Sequence, residues 1–317
     1  MKTAIALIIF NRPDTTKKVF EAIRQAKPDR LFVISDAPRP SHPDDIAKCA
    51  EVRQIIEKVD WNCEVICNYS DINLGPKVRI SSGLDWVFTQ VESAIILEGD
   101  CLPHPHFFQF CEELLERFHD DSRIMTISGN NFQFARQKSE YSYYFSRYPL
   151  IWGWATWRRA WQKNDLEMKQ WQAVCDNNLL KDLLQDSRAV KYWSNIFQNC
   201  YDGNLDTWDY PWTLTSWLQN GLSITPNCNL VSNIGFSRNA LNTKAVNSLF
   251  DKYPTAAISF PLNHPPYIIR DVQADNFTQS TQFDVSWNWR FKMKLRQILN
   301  FSKKDQILPN SVLQICR

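Results

Sequence analysis

Short apolar runs alternate with longer amphipathic segments through the first 130 residues of the chain. The apolar runs are nearly continuous, as strands covered on both faces tend to be, and they predict strands at residues 4–10, 31–35, 64–67, 94–98 and 124–128. The amphipathic segments predict helices at residues 14–25, 44–59, 78–90 and 106–118. This alternation predicts an α/β fold with a mostly parallel sheet flanked by helices, in which ligands bind at the carboxyl ends of the strands.

The pattern changes after residue 130. Nine of the thirteen tryptophans lie between residues 152 and 217, and the regular alternation is lost. We predict a first lobe at residues 1–130 and a tryptophan-rich lobe at residues 131–270 that shares a cleft with it. Residues 271–317 are predicted to form a basic tail. Within this tail, residues 287–304 carry six basic side chains and no acid, with apolar residues at helical spacing. This predicts a helix either at a solvated surface or on an anionic membrane surface.

Composition and charge exclude some classes of protein. A net charge of +2 over 317 residues gives no reason to expect nucleic acid as a partner. The nine cysteines are scattered without a C-x-x-C pair, which argues against a zinc knuckle or a disulfide framework and favours a reducing, cytoplasmic location. The apolar opening, residues 1–10, lacks a small-residue cleavage site, so we interpret it as a strand rather than a signal sequence.

Two carboxylates separated by one glycine, Glu98 and Asp100, follow the fourth predicted strand. Magnesium and manganese prefer carboxylate oxygens and share their coordination shell with substrate phosphates. Gly99 is expected to leave space for a substrate to approach the backbone. A solvated turn in which Asp100 caps the next helix explains the triplet equally well.

The wider segment, residues 96–108 (ILEGDCLPHPHFF), is more specific than the triplet. It resembles the metal-site segment of the N-acetylglucosaminyltransferase I type, in which an acidic triplet and a proline-containing link lead to a Phe-Phe helix. The order of segments resembles that of GT-A glycosyltransferases, which move a sugar from a nucleoside diphosphate to an acceptor hydroxyl. The resemblance implies that Asp100 binds Mn or Mg and that Glu98 contacts the nucleotide sugar. Gly99 stands where that family has an acid, which leaves the metal site with one carboxylate fewer.

Further positions match the donor half of this family. Arg12 follows the first strand and opens the first helix, where helix amides favour a phosphate, and the resemblance implies that it reaches the diphosphate. Asp36 ends the second strand and is implied to accept a hydrogen bond from the base, a uracil in the family. Taken singly, Arg12 is equally well a solvated surface arginine and Asp36 a turn cap. The donor-binding candidates are Phe10, Asn11, Arg12, Asp36, Lys77, Arg79, Glu98 and Gly99.

The acceptor half contains a Trp-acid segment at residues 206–212 (DTWDYPW). The resemblance implies that Asp209 is the catalytic base of an inverting enzyme, with Asp206 as the alternative if the register differs. The competing interpretation is an acid that caps the helix starting near Pro211.

Three other residues are candidates in this half. Trp152 and Trp154 are the tryptophans best placed to stack on a sugar ring, although most tryptophans of the segment are expected in the core. Related sequences often carry a histidine shortly after the Ile-Gly-Phe step found here at residues 234–236, but residues 237–245 contain none. His264 is the nearby histidine that would complete a metal or phosphate site. The alternative interpretation is a structural role.

These features together predict a glycosyltransferase that uses a nucleoside-diphosphate sugar, with a UDP-sugar favoured, Mn or Mg as cofactor, and a glycan or glycolipid hydroxyl as acceptor. Inversion with Asp209 as base is the first choice, and a retaining mechanism is the alternative. Two other classes remain open. A sugar nucleotidyltransferase would need a glycine-rich loop after the first strand, and residues 11–14 contain no glycine. A catalytically silent glycan-binding protein would show no response to nucleotides.

Overall fold

The computed structural model of the protein describes residues 1–134, 136, 139–236 and 250–283. The strands are β1 (Ala4–Ile9), β2 (Arg30–Ser35), β3 (Glu64–Tyr69), β4 (Ser93–Glu98), β5 (Cys101–Pro103), β6 (Ile124–Ser128), β7 (Tyr143–Ser146), β8 (Trp154–Trp157), β9 (Leu222–Pro226) and β10 (Val231–Asn233). The helices are α1 (Pro13–Ala26), α2 (Asp44–Ile56), α3 (Gly75–Gln90), α4 (Pro105–Arg117), α5 (Arg158–Trp161), α6 (Trp171–Asp176), α7 (Leu179–Leu184), α8 (Ser187–Tyr201), α9 (Asp209–Leu218) and α10 (Val272–Thr278). A π-helical turn, Gln279–Phe283, follows α10.

Eight strands form one sheet in the order β3-β2-β1-β4-β8-β6-β9-β7. Strands β1 to β4 are mutually parallel, β8 is antiparallel to β4 and β6, and β7 is antiparallel to β9. Because β9 is parallel to β6, six of the eight strands run in one direction. The predicted α/β fold, with a mostly parallel sheet flanked by helices, is confirmed.

The five strands and four helices predicted in the first 130 residues are all present, with shifted ends. Helix α3 begins at Gly75, three residues earlier than predicted, since Gly75 adopts a left-handed φ of +74° and Pro76 fits the first turn. Helix α2 ends at Ile56, because Lys58 and Val59 already donate to carbonyls three residues back in turn geometry.

The two faces of β1 pack against different helix layers, as the alternation of side chains in a strand requires. Ile5, Leu7 and Ile9 belong to one buried cluster with residues of α1 and α4. Ala4, Ala6 and Ile8 belong to a second cluster with residues of α3. Both faces of the central strand are therefore covered, which is why its sequence is apolar throughout.

The boundary predicted at residue 130 falls between β6 and β7. Strands β7, β8 and β9 come from the tryptophan-rich segment and lie in the same sheet as β1 to β4. Residues of α6 to α9 form a further buried cluster that includes Trp171, Trp193 and Trp217. The second segment therefore completes the sheet and adds a helical layer, and its separate role in acceptor binding stays a prediction.

The first part of the predicted tail is folded onto this layer. Asp275 of α10 is buried and accepts a hydrogen bond from Ser146 Oγ in β7 at 2.6 Å. The basic segment at residues 287–304 lies outside the described residues. Within the described ranges, every helix is too short or too polar to cross a membrane.

Candidate functional site

A cavity of about 420 Å³ lies where β1, β2 and β4 end, beside the start of α3 and the residues that precede α9. Because these three strands are parallel neighbours, their carboxyl ends meet at one edge of the sheet. Eleven of the fourteen predicted site residues line this cavity, and Lys77, Trp154 and His264 do not. The cavity is within the size range of small-molecule sites.

Gly99 extends the sheet pairing past β4, since its N–H donates to the Ile8 carbonyl at 2.8 Å. A Cβ atom at this position would lie 2.6 Å from Thr16 Oγ1 of α1. The space on that side of Gly99 is thus filled by a helix, although the residue still lines the cavity. This contact gives a packing reason for a glycine here, and the role of leaving space for a substrate stays a prediction.

Asp100 is held by an arginine from the link after β1. Arg12 Nη1 donates to Asp100 Oδ2 at 2.9 Å and to the Gly235 carbonyl at 2.8 Å. Gly235 lies so near that a Cβ there would be 2.0 Å from Asp100 Oδ2. Three segments distant in sequence, the ends of β1 and β4 and the residues after β10, therefore converge on this ion pair.

Glu98 lies in the same cavity, and its carboxyl group makes no hydrogen bond within the described part of the chain. Burial is the main cause that raises the pKa of Glu98 to about 8, and the negative charges of Asp100 and Asp209 add to it. Arg12 lowers this pKa only in part. The arrangement places more negative than positive charge around Glu98, which is the condition that favours a cation.

Asp209 and Asp206 occupy different positions. Asp209 is the first residue of α9 and accepts a hydrogen bond from the Thr207 hydroxyl, while burial raises the pKa of Asp209. Asp206 is exposed and accepts the Lys77 backbone N–H at 3.3 Å. Asp206 therefore accepts a hydrogen bond from the first turn of α3, where backbone N–H groups lack partners within the helix. Asp209 instead lies near enough to Glu98 for its negative charge to raise the pKa of Glu98.

Asp36 anchors the link between β3 and α3. Its carboxylate accepts backbone hydrogen bonds from Ala37, Leu74 and Gly75 at 2.9 to 3.1 Å. The side chain of Asn73 donates to it as well, at 3.2 Å. These contacts are those of a turn cap, which is the alternative that the sequence left open for Asp36. The residue also lines the cavity.

Arg79 lies near Asp36 and is almost fully buried, with Nη2 bonded to the backbone and side-chain oxygens of Asn68 at 2.7 Å. Burial lowers the pKa of its guanidinium. Arg79 Nε has no hydrogen-bond partner within the described residues. Arg79 therefore contributes a buried positive charge to the wall at this end of the cavity.

The direction of β8 separates the two predicted sugar-binding tryptophans. Trp152 precedes this strand and lines the cavity. Trp154 is the first residue of the strand, pairs with Ile96 and is 1% exposed, with its ring stacked on Trp208 at 5.4 Å. Trp154 is therefore a core residue in this structure, because its ring packs against Trp161, Trp208 and Trp212 on one face of the sheet.

Lys77 and His264 also lie away from the cavity. The Lys77 ammonium is 3.8 Å from Glu167. His264 lies 3.0 Å from the Tyr143 hydroxyl and 3.2 Å from Glu113 in the C-terminal half of α4. It is held there because Asn263 pairs with Ser142 just before β7. The structure therefore separates His264 from Asp100, and it holds no group of three or more metal-ligating side chains in the described ranges.

Sequence reasoning missed several residues of the cavity wall. Arg39 is the most polar of them and follows Asp36 by three residues in a proline-rich link, a signal that would have pointed to it. Thr207 precedes Asp209 by two residues, a spacing with no distinctive signal of its own. The missed residues include Arg39, Asn73, Thr207, Trp208 and Asn233.

Comparisons with known proteins give only remote likenesses. No model of a known protein family matches the sequence, and no curated protein matches it. A solved UDP-glucose pyrophosphorylase complexed with UDP-glucose is similar over 71% of this chain and 90% of its own, at 9% identity and a TM-score of 0.35. The 4-diphosphocytidyl-2C-methyl-D-erythritol synthase from Anaerococcus prevotii DSM 20548 is similar over 62% and 83%, at 13% identity and a TM-score of 0.30.

HddC from Yersinia pseudotuberculosis is similar over 50% of this chain and 78% of its own, at 10% identity and a TM-score of 0.31. At these TM-scores the likenesses carry no argument about activity. None of them supports the specific resemblance to the N-acetylglucosaminyltransferase I type, which stays a hypothesis.

Proposed function

We propose that the protein is a glycosyltransferase that moves a sugar from a nucleoside-diphosphate sugar, with a UDP-sugar favoured, to a hydroxyl of a glycan or glycolipid. The observation that carries this proposal is that Asp209 shares one cavity with Glu98, Asp100 and Arg12. A base, an acidic pair and a cation at the carboxyl edge of a mostly parallel sheet suit transfer from a diphosphate.

The cavity suits a hard divalent cation such as Mg or Mn. Five carboxylates line it, from Asp36, Glu98, Asp100, Asp206 and Asp209, against the three guanidinium groups of Arg12, Arg39 and Arg79. Glu98 is free of hydrogen bonds within the described residues, and one oxygen of Asp100 has only the Cys101 thiol beside it, at 3.7 Å. Asp100 and Glu98 would hold the cation, which would supply charge neutralisation for the departing diphosphate.

Asp209 is proposed to accept the proton of the acceptor hydroxyl while that oxygen bonds to the anomeric carbon. The bond from this carbon to the diphosphate oxygen breaks on the opposite face, so the anomeric configuration inverts. The raised pKa of Asp209 makes its carboxylate a stronger base than an exposed aspartate. Thr207 donates a hydrogen bond to one oxygen of this carboxylate, Oδ1. Trp152, at the cavity wall, offers an aromatic face to the acceptor or donor sugar.

A sugar nucleotidyltransferase is the second candidate, since the acids and guanidinium groups of the same cavity would also suit a nucleotide and a sugar phosphate. Such an enzyme would have to hold a nucleoside triphosphate beside the first strand. The link from β1 to α1 contains only Phe10, Asn11 and Arg12, without a glycine. A link of this length favours a diphosphate donor.

A thermal-shift panel of UDP, GDP, CMP and dTDP, with and without manganese, tests the donor site. A nucleotide at 100 times its Kd should add about 2.7 kcal/mol to the free energy of unfolding of the wild type. Asp100→Asn should lose the manganese-dependent part, while Asp202→Asn, an exposed acid after α8, should respond like the wild type. No stabilisation by any nucleotide, or an equal response of Asp100→Asn, would count against the donor site.

Product analysis then separates the candidate activities. The proposal expects a glycosylated acceptor and free nucleoside diphosphate, with an inverted anomeric centre in the NMR spectrum. Retention at this centre would remove the role of Asp209 as base. Pyrophosphate release from UTP and a sugar 1-phosphate would instead identify a nucleotidyltransferase.

A further inference from the structure

Arg39 lies in the link between β2 and α2 and is fixed by a buried carboxylate. Arg39 Nε donates to Asp45 Oδ2 at 2.6 Å and Nη2 donates to Asp45 Oδ1 at 3.1 Å. The Asp45 side chain is only 3% exposed. Asp45 also accepts a hydrogen bond from Asn11 Nδ2 at 2.7 Å, so it joins the link after β1 to the link after β2.

The fixed guanidinium borders open space on two sides. Arg39 lines the site cavity and also an adjoining cavity of about 800 Å³, and Arg12 borders the same two cavities. The Arg39 guanidinium carbon lies 5.6 Å from the centre of the Phe10 ring, and Nη1 donates no hydrogen bond within the described residues. Arg39 therefore has one unused donor nitrogen and borders both cavities, as Arg12 does.

A structural ion pair alone would explain why Arg39 contacts Asp45, because this contact ties the first turn of α2 to the sheet edge. It does not explain why the arginine stands at the cavity wall with part of its fork unused. A guanidinium matches two phosphate oxygens at once, and its immobilisation by Asp45 lowers the entropy lost on binding.

We propose that Arg39 is a donor-binding residue that contacts the phosphate groups of the nucleoside-diphosphate sugar, and that Asp45 is a positioning residue that acts through Arg39. This inference rests on the proposed function. It assigns the diphosphate to a space between two guanidinium groups, Arg12 from the first link and Arg39 from the second.

Titration calorimetry with uridine, UMP and UDP tests this assignment, because the three ligands differ only in phosphate number. Arg39→Gln is expected to weaken UDP binding about tenfold, to weaken UMP binding less, and to leave uridine binding unchanged. Asp45→Asn should show the same selectivity with a smaller loss. Arg24→Gln removes a matched arginine-aspartate pair on the exposed face of α1, with Asp60, and should bind all three ligands like the wild type.

Arg39→Lys keeps the positive charge beside Asp45 and guards against misfolding of the glutamine variant. Its UDP affinity should fall between those of the wild type and Arg39→Gln, since an ammonium cannot make the paired contact. Equal weakening of uridine and UDP, or an unchanged UDP affinity in Arg39→Gln, would overturn this inference and leave the proposed function standing. Failure of the wild type to bind UDP would overturn both.

Discussion

Strands β4 and β8 are neighbours in the sheet and run in opposite directions. β4 ends at the cavity, so Glu98 and the two residues after it line the cavity wall. β8 begins there, so Ile151 and Trp152, before the strand, line the cavity, while Trp154 and Trp157 within it are 1% exposed. Chain direction in a sheet therefore decides which residues reach the edge where a ligand binds, whatever their chemical type.

The same contrast holds for the wider segments. Charged residues at the ends of β1, β2 and β4 converge on one cavity, whereas most tryptophans of residues 152–217 fill the interior. Several buried indoles also have hydrogen-bond partners inside the protein, as Trp193 has with Gln279 at 2.8 Å and Trp217 with the Arg147 carbonyl at 2.8 Å. The richness in tryptophan therefore describes the core of the second segment more than a sugar-binding surface.

Asp209→Asn should give the largest effect, because it removes the proposed base from the cavity. Product formation should fall about 100- to 10,000-fold while UDP binding persists. Asp206→Asn is the matched variant, since it keeps an oxygen that can accept the Lys77 N–H, and it should retain most activity. Loss of turnover in Asp206→Asn with full turnover in Asp209→Asn would reverse the two assignments.

Trp154→Ala and Trp152→Ala compare a buried tryptophan within β8 with a tryptophan before β8 that lines the cavity. Trp154→Ala should lower the free energy of unfolding by about 3–5 kcal/mol, because it empties a buried site against Trp208 and Trp212. Trp152→Ala should cost less stability and weaken binding of the sugar-bearing ligand. Urea unfolding measures the first effect and calorimetry the second. A larger stability loss in Trp152→Ala than in Trp154→Ala would contradict the comparison.

Gly99→Ala tests whether the glycine between the two acids is required by packing. The new Cβ would meet Thr16 Oγ1, and we expect a loss of about 1–3 kcal/mol in the free energy of unfolding. Thr16 Oγ1 is buried and has no hydrogen-bond partner within the described residues, so Thr16→Ala removes the obstruction at little cost. The double variant Gly99→Ala/Thr16→Ala should regain most of the loss, and additive effects of the two substitutions would argue against this contact.

Asp45→Asn should have a pH-dependent effect on stability. The hydrogen bond from Arg39 is the main cause that lowers the pKa of Asp45 to about 2, below the usual aspartate value of 3.8. A carboxylate with a lowered pKa stabilises the fold above the unfolded pKa, and this contribution is lost as the pH falls toward the folded pKa. The wild type should therefore exceed Asp45→Asn by at most about 2 kcal/mol at pH 7 and by about 1 kcal/mol at pH 3. A difference that stays constant over this range in urea unfolding would contradict the assigned pKa.

Much of the fold could be predicted from local pattern. The apolar runs located β1, β2, β3, β4 and β6 within a few residues. For β1, β2, β4 and β6 the reason is that a strand covered on both faces must be apolar throughout, whereas β3 lies at the sheet edge and is not buried. The strand ends then indicated where charged residues would gather. The order of strands could not be predicted this way, since nothing local to residues 154–157 indicates that they insert between β4 and β6.

The sequence by itself determined that Glu98, Asp100 and Arg12 would stand at one edge of a mostly parallel sheet, because strand-helix alternation places every such link on the same side. Only the tertiary structure decided how these and the other acids divide their roles. Asp36, Glu98, Asp206 and Asp209 all line the cavity. Asp36 and Asp206 accept backbone hydrogen bonds from the start of α3, whereas Glu98 accepts none within the described residues. The physical reason is that a carboxylate is captured by whichever unpaired amides the fold brings beside it, and those amides lie tens of residues or more away along the chain.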